Sequence, residues 1–311
     1  MAKNLILSSK TADDIDKRVE RVLRGLGSPE PPLRLEDIRE LLKLDVKFFT
    51  ANDPSFTQEM VSRIRVATVQ VFQRPALLVE AIRKFSLKAL YLPDRKRILL
   101  DDSQPKLKHR WNEAHEVGHS LLPWHESMMH GDNDHTLSVA CHEQIEAEAN
   151  YAAGRMIFLR DRFSDEARSV TPTIENIKSL NKRYGNTISS TLYRFVEAMG
   201  DEHTVVGLMT GHPHVSRRSA DYDAENPCKH MIQSSAFHRA FGHLTEKELF
   251  VAITKYCGAQ SGGMLGQMEL LLDDRNGIAH RFYFETFYNR YDALTIGVHL
   301  RKEPTMVIFV Q

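Results

Sequence analysis

The sequence predicts an α+β protein: a mainly helical core with a small β-sheet, a helix-turn-helix-like extension, and a C-terminal α+β domain with an antiparallel sheet. Three observations predict it. Apolar residues recur at helical spacing through most of the first 200 residues, with one strand–turn–strand pattern among them. From about residue 201 the pattern shifts to extended runs joined by tight turns such as Asp274-Arg275-Asn276-Gly277. A chain of 311 residues, 42% hydrophobic and 26% charged, has material for two domains of ordinary size. The boundaries fall at 1–165, 166–200 and 201–311.

The elements follow in order. Ile15, Val19, Val22 and Leu26 repeat at helical spacing after Ser9 and Thr11, and Gly25 and Gly27 end the run. The stretch Ser28-Pro29-Glu30-Pro31-Pro32 is a break. Leu35, Ile38, Leu41 and Leu42 predict a second helix, residues 46–49 a short strand, and residues 56–85 two helices interrupted at Arg74-Pro75. Residues 89–92 and 97–100 flank Pro93-Asp94-Arg95 as strand, turn and strand. Residues 105–122 and 143–160 predict two helices. Thr171-Pro172 predicts a helix start, with the hydroxyl as cap and proline in the first turn. Ile174, Ile177, Leu180 and Tyr184 form its apolar face, and Gly185 stops it. A further helix holds Ile188, Leu192, Phe195 and Val196 and ends at Gly200. This pair fits a helix-turn-helix unit or a plain helical hairpin. Beyond it come a strand at 205–209, a polar, His-rich stretch at 211–243, and a Thr245-capped helix over 246–256. Strands follow at 268–272, 278–288, 293–300 and 306–310.

Composition excludes several classes. Lys plus Arg and Asp plus Glu both number 41, which argues against wholesale disorder and against a generally basic nucleic-acid-binding chain. Three cysteines, Cys141, Cys228 and Cys257, without paired spacing are no disulfide framework. No stretch approaches the roughly 20 apolar residues of a membrane helix. A cytoplasmic protein is expected. Of the fifteen histidines, seven lie between His109 and His142, a cluster that calls for a chemical reason.

His115-Glu116-Val117-Gly118-His119 supplies one. On a helix, positions i and i+4 share a face, so His115 and His119 can grip one metal ion. Glu116 beside them can take a proton from a water molecule that the metal has acidified. Such a site needs a third ligand. His125 stands where an extended motif of this type has one, but Leu122 occupies the position of the glycine that turns the chain back. The stretch from Glu143 to Ala153 offers Glu146, with Asn150 one turn on, placed to hydrogen-bond a ligand histidine. Glu143 and Glu148 read as a solvated face of that helix. His130, His135 and His142 read as loop histidines between the motifs. His212, His214, Cys228 and His230 have ligating side chains but no evident rigid scaffold, and Cys141 lacks an orienting partner for nucleophilic work.

HEVGH followed by SLLPWH and then EAEANYAAGRMIF resembles the ImmA/IrrE family of metallopeptidases, over about residues 10–200. Tyr151 stands one residue before the family's usual aromatic, and Phe158-Leu159-Arg160 replaces the usual Met-Pro ending. The resemblance implies a zincin-like core of the gluzincin type, with His115, His119 and Glu146 as ligands and Glu116 as the catalytic base. The cofactor implied is zinc, although manganese or iron suits the same ligands. It also implies a protein substrate, most often a helix-turn-helix repressor cleaved under stress or on induction of a mobile element. An extended substrate segment would add to an edge strand near 97–100. The family often carries a variable, sensor-like domain where residues 201–311 lie, so a small-molecule or signal ligand is expected there. No membrane partner is expected, nor direct DNA contact. A different class remains open: a DNA-binding regulator using helices 172–199, with a structural or vestigial metal site.

Overall fold

The computed structural model describes residues 7–49, 89–92, 96–102, 106–125, 139–220 and 222–304. The helices expected at 56–85, the turn at 93–95, His130, His135 and the strand at 306–310 lie outside these residues. The architecture is mixed α+β, as the sequence predicts. Two compact units divide the chain. One comprises Met1–Arg160 with Tyr184–Asn186, the other Asp161–Arg183 with Thr187–Gln311.

The first unit is built on helices and a small sheet. Helix α1 (Ser9–Gly25) starts at Ser8, whose side chain accepts a hydrogen bond from Thr11 N. It buries Ile15, Val19, Val22 and Leu23. Helix α2 (Leu35–Leu42) buries Leu35 and Ile38. Three strands follow: β1 (Asp45–Phe49), β2 (Ala89–Leu92) and β3 (Arg97–Asp101). Their order is β1-β3-β2, with β1 parallel to β3 and β2 antiparallel to it. The register pairs Asp45 with Arg97, and Arg97 Nε donates to Asp45 Oδ2 at 2.7 Å. This order corrects one expectation. The strand at 97–100 is the central one and pairs on both sides, so it offers no free edge to a substrate; among the described residues the outer strands are β1 and β2.

Helices α3 (Lys106–Leu121) and α4 (Val139–Ile157) follow in this unit. Helix α3 rests on β2 and β3 and packs along α4. Helix α4 begins four residues before the expected start, so His142 lies in a helix and not in a loop. It buries Ile145, Glu148, Ala149, Ala152 and Met156, one stripe at helical spacing. That stripe overturns one reading. Glu143 is exposed, but Glu148 points inward and is 3% exposed, because it lies on the same stripe as Ile145 and Ala152. On another side of α4, Arg155 Nε donates to Asp16 Oδ1 at 2.6 Å and ties α4 to α1.

The second unit opens with α5 (Asp161–Arg168), α6 (Ile174–Tyr184, its last residue grouped with the first unit) and α7 (Ile188–Ala198). The cap of α6 is Thr173, whose Oγ1 accepts from Asn176 N, and not Thr171 as expected. The first-turn N–H of Ile174 is taken by the carboxylate of Glu285, which is buried in the sheet. Burial pushes the Glu285 carboxyl above its usual range. The five strands are β4 (Val205–Thr210), β5 (Cys228–Gln233), β6 (Gly263–Asp273), β7 (Ala279–Tyr288) and β8 (Ala293–Lys302). All pairings are antiparallel, in the order β5-β4-β8-β7-β6. The hairpin joining β6 to β7 is the expected one: Gly277 N bonds Asp274 O, and Gly277 has φ +73°. Helices α8 (Ser235–Phe241) and α9 (Glu246–Thr254) close one core of the sheet, in which Val206, Leu208, Phe282 and Phe284 meet Phe237, Phe241, Leu249 and Phe250. Strand β5 and helix α8 arise within the stretch at 211–243 that the sequence marked only as polar. No helix among the described residues is long and apolar enough to cross a membrane.

Candidate metal centre

A glycine and an alanine set the site. A Cβ placed on Gly118 would lie 2.7 Å from the carbonyl oxygen of Ala149, so α3 and α4 cross almost backbone to backbone. The small residues Ala149, Ala152 and Ala153 of α4 are fully buried there. Gly118, within the His115–His119 turn, is therefore the residue that permits the approach. With the helices this close, side chains of both reach one point.

Three ligating groups converge on it. His119 Nε2 lies 3.2 Å from His115 Nε2. His115 Nε2 lies 3.2 Å from Glu146 Oε2, and His119 Nε2 3.6 Å from Glu146 Oε1. A tetrahedral ion held at about 2.0–2.1 Å keeps its ligand atoms about 3.3 Å apart. The separations are close to that edge, the two histidines reaching different oxygens of Glu146, and two imidazoles with a carboxylate are a donor set that suits a metal ion. This is the one group of three or more metal-ligating side chains found among the described residues.

Electrostatics point the same way. Burial disfavours a charged His115, but the bond to Glu146, the charges of Glu116 and Glu146, and the bond to Asn150 outweigh it. The imidazole is held above its usual range by the carboxylates that converge on it. Glu116 is 5% exposed on the same turn of α3. Asn150 Oδ1 stands 3.1 Å from His115 Nδ1, where it fixes the ring with Nε2 toward the cluster.

The sequence reading missed a second layer. His125 does return toward the motif: its N–H bonds Leu122 O, closing the turn through Pro123. It reaches the far side of His119, with the two Nδ1 atoms 2.9 Å apart, and not the ligand cluster. His125 Nε2 lies 2.9 Å from Glu148 Oε2. Glu148 also accepts from Trp124 Nε1 at 2.6 Å and from Gln144 Nε2 at 2.9 Å. Burial would raise its pKa, but these three donors hold it below the ordinary carboxylate range. The signal that could have found it is the buried stripe of α4, on which Glu148 falls.

The other sequence candidates do not converge. His212 Nε2 bonds Gln260 O, and His214 Nδ1 bonds Ser216. His230 stands against Tyr193. Burial pushes the Cys228 thiol up to about 12 and the Cys257 thiol to about 11, so neither is a thiolate near neutrality. The side chains of Cys141 and His142 lie outside the described residues.

The site lies in a stretch that is similar to a known family. Residues 68–196 match the family model described as the IrrE N-terminal-like domain. The matched stretch contains His115, Glu116, His119, Glu146 and Asn150, and also His125 and Glu148. Over that stretch the chain is similar to the metallopeptidase-like ImmA/IrrE proteins. No curated protein sequence matches the chain. In fold, the chain is similar to a Mycobacterium tuberculosis transcriptional regulator, with a TM-score of 0.53 over 92% of this chain and 76% of that one, at 14% identity.

Proposed function

We propose that the protein is a zinc-dependent endopeptidase of the cytoplasm that cleaves one bond in a specific protein, a helix-turn-helix transcriptional repressor. The observation that carries this reading is the convergence of His115, His119 and Glu146 on one point, with Glu116 buried on the same turn. His115 Nε2, His119 Nε2 and a Glu146 oxygen would hold the ion. Zinc, when bound, lowers the pKa of a water molecule from its bulk value toward about 7. Glu116 would accept a proton from the attacking water as the water oxygen bonds the scissile carbonyl carbon. The same carboxylic acid would then give the proton to the departing amide nitrogen as the C–N bond breaks, leaving a carboxylic acid and an amine. Asn150 holds His115 in the ligating tautomer throughout.

The repressor substrate is supported by the family and by the fold likeness to a transcriptional regulator. Within this reading, residues 1–165 form the peptidase, 166–200 a helical extension and 201–311 a regulatory part that takes a small-molecule signal. Glu116→Gln tests the centre: zinc content stays at about one per chain while cleavage of the repressor is abolished. Retained cleavage removes Glu116 from its role, and a folded protein that takes up no zinc removes the reading.

A second reading, a DNA-binding regulator with a structural metal, has the α6–α7 pair and the same fold likeness in its favour. Against it, Lys178 sits over the Phe287 ring, Arg183 pairs with Glu166, and Arg194 pairs with Glu197. These cations are engaged within the unit and leave little free positive charge for phosphates. A gel shift at physiological salt separates the two readings.

A further inference from the structure

The two ligand histidines are held in different ways. His115 leans on Asn150, a neutral and exposed amide. His119 leans on a buried chain of three groups, His119–His125–Glu148, in which His125 is 0% exposed. The hydrogen positions along this chain follow from the donors at its end. Trp124 Nε1 and the Gln144 amide nitrogen are only donors, so Glu148 meets both as an acceptor. Glu148 Oε2 is then best served by a proton on His125 Nε2. A neutral His125 so protonated has its lone pair on Nδ1. At 2.9 Å, that lone pair calls for a proton on His119 Nδ1. His119 is left with its own lone pair on Nε2, the atom that faces His115 and Glu146.

Taking the metallopeptidase reading as its basis, we propose that Glu148 and His125 are positioning residues that set the tautomer and ring plane of His119 before a metal arrives. The carboxylate acts through one imidazole on the next, and neither His125 nor Glu148 touches the ion or the substrate. Each link is built into packing. Trp124, which anchors Glu148, carries Arg18 over its ring at 5.0 Å. The turn that delivers His125 is closed by its own backbone bond to Leu122. Removing one end of such a support costs on the order of 10–100-fold in metal affinity.

The test reads the tautomer directly. In the metal-free protein, at about pH 8, above the ordinary imidazole range, nitrogen-15 correlation spectra report which ring nitrogen of His119 bears hydrogen. The wild type is expected to be protonated on Nδ1. Glu148→Gln, nearly isosteric, and His125→Phe are expected to convert His119 to a mixture of tautomers. Both should weaken binding of Zn²⁺ alone, measured against a competing chelator, by about 10–100-fold. Glu143→Gln, exposed on the same helix, should change neither reading. A His119 protonated on Nε2 in the wild type overturns the proposal and needs no variant to fold. So does an unchanged tautomer, or an unchanged zinc affinity, in a folded Glu148→Gln protein. If the wild type binds no zinc, the peptidase reading falls while the tautomer spectrum still decides this one.

Discussion

Where α3 crosses α4, backbone meets backbone, whereas the five-stranded sheet closes on phenylalanine rings. In the first place, the carbonyl of Ala149 fills the space a side chain on Gly118 would need. In the second, Phe241 and Phe237 stand edge-on to Phe282 at centroid distances of 5.0 and 5.8 Å. The difference teaches what each region is for. A core of aromatic rings gains stability from apolar area alone and needs no polar partner. The close helix pair gives up that area, and Glu116, His119, His125 and Glu148 lie buried in its place. Buried polar groups are costly unless each is bonded. The site spends packing on chemistry, and the sheet supplies stability elsewhere in the chain.

The largest effect expected from breaking this contrast lies in the sheet. Phe282→Ala removes a ring that is 0% exposed and touches Phe237, Phe241 and Phe284. It should cost about 3–5 kcal/mol by chemical denaturation while leaving zinc affinity as in the wild type. A smaller cost with weakened zinc binding would mean the two regions do not divide the work in this way.

Gly118→Ala comes next, and two effects compete in it. Alanine is the better helix former by about 1 kcal/mol. Its Cβ, however, would meet a backbone oxygen at 2.7 Å, which no side-chain rotation relieves. Overpacking of this kind costs about 1–3 kcal/mol, so the helices should part. The variant should lose stability and bind zinc more weakly. A gain in stability would show that the crossing tolerates a wider spacing than the ligands use.

The elements were largely legible in the sequence because each carries its own period or turn. Ile15, Val19 and Val22 mark α1, and Asp274 to Gly277 mark the β6–β7 hairpin. The cluster of His115, His119 and Glu146 was legible for the same reason: two residues share one helical turn, and the third begins a stripe of small residues. What escaped depends on tertiary contact. Glu148 looks like any charged residue on an amphipathic helix until α3 is laid over it. His125 looks misplaced for a ligand because the turn at Leu122–Pro123 delivers it to the other side of His119. Strand β5 buries only Cys228 and Ile232, with Lys229 and His230 both exposed where its register to β4 shifts, so it shows no period of two. The central position of β3 is a matter of strand order, which no local pattern encodes.

The smallest effect tests whether burial, and not hydrogen bonding as such, separates the two regions. The second unit has its own well-bonded carboxylate, Glu248, at the start of α9. Thr245 N and Thr245 Oγ1 each donate to Glu248 Oε2 at 2.7 Å, and Glu248 N donates to Thr245 Oγ1 at 3.2 Å. Like Glu148, it is held below the ordinary carboxylate range, here by the Thr245 backbone and side-chain bonds. Unlike Glu148, it is open to water. Water can replace each lost bond at such a site, so Thr245→Ala should cost only about 1 kcal/mol. The sign with pH follows from linkage. A carboxyl whose folded pKa is depressed contributes fully above its unfolded value, 4.5, and loses that contribution as pH falls through the lower folded value. The gap in unfolding free energy between wild type and Thr245→Ala should therefore be constant near neutrality and narrow below pH 4.5. A gap that widens in acid would mean the threonine acts through packing and not through the carboxylate. A cost as large as that of Phe282→Ala would mean that an exposed polar cap rivals an aromatic core, and the contrast between the two regions would lose its basis.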